Sequence, residues 1–127
     1  MTPPDDQLSI SEVAARTGLS AHTLRYYERA GLMLAPIQRA SSTHRAYTEQ
    51  DVTWIVFLTR LRSTSLPIAT VKEYAALARS GEHTRAERLE LLQRHRIDVV
   101  AHLAEIQASL AAIDYKISLY SERTPAA

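Results

Sequence analysis

A chain of 127 residues, 46% hydrophobic and 23% charged, suits one compact domain or a small domain with an extended element, and is too apolar to stay disordered. It has no cysteine, which excludes disulfides, thiolate metal sites and thiol redox sensing. The net charge of +1 announces no nucleic-acid partner, but from Arg16 to Arg62 seven arginines (16, 25, 29, 39, 45, 60, 62) meet only three acids, Glu28, Glu49 and Asp51. Such a basic half can neutralise phosphates with salt-dependent affinity, and taken alone it equally fits a solvated surface of mixed charge.

In chain order, Met1 to Gln7 lacks the basic start and apolar core of a secretory signal, and no apolar run approaches the roughly 20 residues that span a bilayer. The expectation is a cytoplasmic protein with no membrane partner. Ser9-Ile10-Ser11-Glu12 reads as a capping box, predicting a first helix over about 10–17. Ser20 is an N-cap for a second over about 21–30, which Gly31 ends. Ala14, Gly18 and Leu24 have the spacing of a helix-turn-helix: a small residue at the crossing, a glycine in the turn and an apolar lock on the second helix. At helical spacing, Leu24 and Tyr27 share one side, while Arg25, Tyr26 and Arg29 fall on the others.

From Leu32 the pattern turns irregular, and two short extended pieces around the polar Gln38–Thr43 loop predict a hairpin, or wing, over about 33–47. Thr48 to Asp51 forms a second capping box, opening a helix over about 49–64 with Trp54, Phe57, Leu58 and Leu61 at helical spacing. Trp54 and Phe57 are read as core rather than as a ligand-binding aromatic pair. Pro67 starts a fourth helix over about 67–80, with Val71, Tyr74, Ala75 and Ala78 on its apolar side and Gly81 at its end.

From Glu82 to Thr124 there is no glycine or proline. Steps of three and four pick out Leu89, Leu92, Arg96, Val99, Leu103, Ile106, Leu110, Ile113, Ile117 and Tyr120, apolar at every position but Arg96. This is a coiled-coil seam on a helix over about 84–121, roughly 55 Å long at 1.5 Å per residue. Such a helix needs a partner chain, and a two-fold homodimer is the simplest closure. Leu89, Leu92, Val99, Leu103, Ile106, Leu110, Ile113 and Ile117 are the candidate dimerisation residues. Arg96 either sets register or extends its head to solvent, and the second reading is favoured. His95 and His102 flank the seam one heptad apart, a spacing that does not make a helical metal pair, and they are read as solvated or interface residues. The units expected are therefore a DNA-binding domain over 8–80 and a coiled-coil helix over 84–121, with flexible termini at 1–7 and 122–127.

Ile10-Ser11-Glu12-Val13-Ala14, Thr17-Gly18-Leu19-Ser20, Thr23-Leu24-Arg25-Tyr26-Tyr27-Glu28 and Gly31-Leu32, followed by Arg45, Tyr47 and Asp51, resemble the mercury-resistance-regulator (MerR) family of bacterial transcription regulators. The likeness is densest to its short, aldehyde- and electrophile-associated branch. It implies an all-α chain with a small β wing: a winged helix-turn-helix domain followed by a long helix in an antiparallel coiled coil that puts one DNA-binding domain at each end. It also implies a regulator acting in the bacterial cytoplasm at the nucleoid, whose dimer binds a palindromic promoter site and bends and untwists the DNA so that RNA polymerase engages, polymerase being an indirect partner.

By the same resemblance Arg25 and Tyr26 touch DNA around the second helix, with His22 and Thr23 near its N-terminus and His44, Arg45 and Tyr47 on the wing. Whether Arg25 clamps a phosphate or reads a guanine is not decided by position. For Tyr27, spacing favours packing, its hydroxyl being the part that reaches a phosphate. For Arg16, a phosphate contact and an ordinary solvated side chain stand equal. The wing departs from the family at Ser42, Thr43 and His44, where asparagine-glycine and tyrosine are common. Arg60 stands where the electrophile branch carries a cysteine, so direct thiol sensing by that route is absent. Many members carry a further C-terminal ligand domain, whereas this chain ends about where its coiled coil does. The effector is unknown: a small ligand between the fourth and the long helix, or none.

A second class, an effector-independent architectural or protein-interaction module built on the same winged helix and coiled coil, fits the same elements. An enzyme does not: there is no cysteine nucleophile, glycine-rich phosphate loop, close carboxylate pair or Ser/His/Asp set that these elements would bring together. No cofactor and no metal is expected.

Overall fold

Local signals decide where each helix starts. In the computed structural model, which describes residues 7–39 and 45–123, Ser9 caps helix α1 (Ile10–Thr17): its hydroxyl accepts from the Glu12 amide, and the Glu12 carboxylate accepts from the Ser9 amide. Gly18 ends α1 in the left-handed region, φ 75°, a conformation a glycine adopts without a Cβ penalty. Ser20 caps α2 (Ala21–Arg29) through the Thr23 amide. Gly31, φ 73°, then lets the Leu32 amide fold back onto the Tyr27 carbonyl at 3.0 Å.

Strands β1 (Gln38–Arg39) and β2 (Arg45–Ala46) pair antiparallel, with Gln38 opposite Ala46 and Arg39 opposite Arg45. Leu8 and Tyr47 exchange two further backbone hydrogen bonds, 2.7 and 2.9 Å, so the segment before α1 is bound to the base of the wing. The expected wing tip at Ser42, Thr43 and His44 lies outside the described residues, as do residues 1–6 and 124–127 of the expected flexible termini.

Thr48 and Asp51 form a second reciprocal box at the start of α3 (Glu49–Ser63). Helix α4 (Ile68–Ser80) follows Pro67 and stops at Gly81, after which a 3₁₀ turn (Glu82–Thr84) leads into α5 (Arg85–Arg123). The chain divides into two units, one through Leu89 and the other from Glu90. In the first, Val13, Leu24, Leu32, Tyr47, Ile55, Leu58 and Val71 form the deepest core. The second is the remainder of α5.

On α3 the buried row is Val52, Ile55, Leu58 and Leu61. Phe57, read from spacing as core, is 36% exposed, and Trp54 is half-buried. Both rings lie against Tyr74 of α4, Trp54 stacked at 5.8 Å and 14°, Phe57 tilted at 5.8 Å and 55°. The correction has a simple cause: the aromatic pair covers the edge of the α3–α4 contact while the aliphatic row fills its centre.

Candidate nucleic-acid interface

Helix α2 divides its residues by direction. Leu24 and Tyr27 point inward, 1% and 6% exposed, while His22, Arg25, Tyr26 and Arg29 lie on the open surface. The buried pair fixes the helix against the unit, so the exposed row keeps a defined orientation. Thr23 is half-buried, its amide and hydroxyl both engaged with the Ser20 side chain at 3.1 and 3.0 Å, so its immediate role is to close the N-terminal turn. The Tyr26 and Tyr27 rings meet at 6.3 Å, the outer one resting beside the inner.

The turn that aims α2 is held by side chains as well as by Gly18. The Thr17 hydroxyl donates to the Val13 carbonyl at 2.8 Å and accepts from the Leu19 amide at 3.3 Å. On the far side of α2, two long side chains clasp the segment leaving it. Trp54 Nε1 donates to the Leu32 carbonyl at 2.7 Å, and Arg79 Nη1 donates to the carbonyls of Met33, at 2.9 Å, and Gly31. Spacing within α3 and α4 does not reveal this clasp, because its acceptors are backbone oxygens 22 to 48 residues away. The one available signal was a lone tryptophan, whose N–H seeks an acceptor when its ring packs.

Arg16 has a partner within the fold that its position in the sequence does not reveal. Its guanidinium holds Glu49 of α3 in a two-point ion pair, 2.6 and 2.7 Å. The hydrogen bond to Arg16, reinforced by its charge, holds the Glu49 carboxyl below the usual carboxylate range, and the same bond raises Arg16. Tyr47 is 1% exposed and the largest of the fully buried side chains, so its ring is part of the packing. Arg45 lies in β2, within the wing, and His44 is outside the described residues.

The expected dimerisation residues lie along α5. Leu89, Leu103, Ile106, Leu110, Ile113 and Ile117 are between 51% and 56% exposed, whereas Leu92 and Val99 are half-buried. Among the described residues no three of His, Asp and Glu gather as a metal site, and no helix is long and apolar enough to cross a membrane.

A helix-turn-helix with an outward basic and aromatic row, a two-stranded wing and a long following helix defines the winged DNA-binding class. Comparison with known proteins narrows it. The family described as "MerR HTH family regulatory protein" matches residues 8–77, and "MerR, DNA binding" matches 52–115. An uncharacterized HTH-type transcriptional regulator of Haemophilus influenzae is 30% identical over 88% of this chain and 82% of its own length. The HTH-type transcriptional regulator AdhR of Bacillus subtilis is 40% identical over 70% of this chain and 63% of its own. Among solved structures, HiNmlR, a MerR-family regulator lacking the sensor domain and bound to promoter DNA, superposes with a TM-score of 0.83 at 29% identity, covering 91% of each chain. The chain belongs to the MerR family, and is a DNA-binding transcriptional regulator of that type.

Proposed function

We propose that the protein acts as a homodimer on a palindromic promoter site in the cytoplasm, with α2 of each copy in the major groove, and controls transcription by deforming the DNA between the two half-sites. The observation that carries this reading is the division of α2, where Leu24 and Tyr27 anchor the helix while Arg25, Tyr26, His22 and Arg29 stay exposed. Arg25 and Tyr26 are the principal contacts, with His22 and Thr23 at the helix start and His44 and Arg45 on the wing. Arg16 orders α1 against α3 through Glu49, and Tyr27 and Tyr47 support the interface from behind.

Apolar side chains left open along α5 support the dimer, since burying them needs a second chain. Two recognition helices related by a two-fold axis read half-sites one helical turn apart or a multiple of it, about 34 Å per turn. Bending such a site costs about 1–6 kcal/mol, which added contacts can offset, and an effector acts by changing which DNA shape the dimer favours. The structural neighbour HiNmlR, which lacks a sensor domain and is bound to promoter DNA, supports the same use of this architecture. Polymerase is reached through the shape of the DNA, and no catalytic step is assigned to the protein.

Footprinting on the DNA upstream of the protein's own gene tests this. Two protected half-sites with enhanced cleavage between them are expected. Protection of a single unpaired segment would remove the dimeric reading, and no protection would favour a protein-binding module.

A further inference from the structure

The seam of α5 contains one charge, Arg96, and its edge contains another, Asp114. Positions three and four residues from Arg96 are Leu92, Gln93, Val99 and Val100; around Asp114 they are Leu110, Ala111, Ile117 and Ser118. Neither charge therefore has an opposite charge within reach on its own helix. Other charges of α5 do: Glu90 meets Arg94 at 3.9 Å and Glu105 meets His102 at 3.7 Å. Both Arg96 and Asp114 are exposed, and among the described residues neither makes an ion pair.

Heptad geometry says where each would meet a second copy. The seam steps from Leu89 to Tyr120 alternate three and four and read the same from either end. An antiparallel pair with full overlap thus sets Leu89 level with the partner's Tyr120, Arg96 with the partner's Ile113, and Leu103 with the partner's Ile106. Gln93, Val100, Gln107 and Asp114 lie seven apart on the flank bordering Arg96, and in an antiparallel pair this flank faces its own copy. Asp114 follows Ile113, so the partner's Asp114 comes within about one 1.5 Å rise of the level of Arg96. Sliding by one heptad puts Gln107 or Ser121 there instead. A parallel, in-register pair sets the two Arg96 side chains against each other, like charges at one layer.

We propose that Arg96 of each protomer pairs with the partner's Asp114, twice per dimer, and that these pairs select the antiparallel, fully overlapped register of α5. The proposal rests on the homodimer reading above. It gives the polar seam position a function at the rim, where the arginine keeps its head hydrated while its stem covers apolar surface.

Charge exchange in the full chain tests it by sedimentation. Arg96→Asp and Asp114→Arg alone are each expected to raise the dimer Kd by about two- to thirtyfold, two rim pairs being lost, and the doubly exchanged protein to return to within about twofold of wild type. Orientation is read independently, because a chain without cysteine allows clean engineered disulfides. Oxidising a mixture of Leu89→Cys and Tyr120→Cys proteins should join one to the other. A double variant no tighter than the weaker single, or Leu89→Cys joining efficiently to itself, overturns the pairing while leaving a dimer in place. A wild-type chain that sediments as a monomer overturns the dimer itself.

Discussion

Arg25 and Leu24 are neighbours in the chain with opposite duties. A helix turns about 100° per residue, so one can be sealed in the core while the next stays in water. Leu24→Ala should lower the unfolding free energy by about 2–5 kcal/mol in a urea titration, with DNA affinity falling only through the loss of folded protein. Arg16 and Glu49 show a different residue-scale effect. A carboxyl whose folded value is lowered stabilises the fold fully above its unfolded value, about pH 4.3, and this stability disappears as pH falls through the folded value. Wild type should therefore melt above Glu49→Gln near neutral pH, and the two midpoints should converge as the pH falls through the folded value of Glu49. An unchanged difference at low pH would show that the Arg16 contact does not act through the charge of Glu49. The division between Leu24 and Arg25 was legible in the sequence because it is local. The partner of Arg16 was not, because Glu49 is 33 residues away.

At the scale of elements, the helix-turn-helix is specified by short-range chemistry. Ser9 with Glu12, Ser20 with Thr23, and Thr48 with Asp51 each act over three residues, so their positions could be read directly. What spacing misassigned was depth: Phe57, read as core, stays at the surface, because depth depends on which elements meet. The clasp on the segment leaving α2 belongs to the same class. Removing the Trp54 donor in Trp54→Phe, which keeps an aromatic ring beside Tyr74, should loosen the Leu32 to Met33 segment. Amide exchange there should quicken with the exchange of α1 little changed, and uniform acceleration across both would show that Trp54 merely supports global stability.

For the whole molecule, the decisive feature is apolar surface that one chain leaves open. A charge at the centre of the seam, Ile106→Asp, should abolish the dimer and reduce affinity for a two-half-site DNA far more than for a single half-site, compared by gel shift. Equal losses on both DNAs would mean that the two copies do not bind together. The long helix was legible from its unbroken seam and from the absence of glycine and proline between Glu82 and Thr124. The orientation of the proposed pair is not legible from periodicity, since an alternating three-four pattern serves parallel and antiparallel pairs equally.

The central claim, that the exposed row of α2 reads a specific sequence, is tested most directly by fluorescence anisotropy. Wild type and Arg25→Ala are titrated with the DNA upstream of the protein's own gene and with a shuffled copy of equal length, at low and moderate salt. The native sequence should be preferred at both salt concentrations, and Arg25→Ala should lose that preference while unfolding at the wild-type urea midpoint; one bidentate contact alone would account for about 1–3 kcal/mol of it per half-site. Equal affinity for both DNAs that collapses with salt, or an Arg25→Ala protein that discriminates as well as wild type, would contradict it.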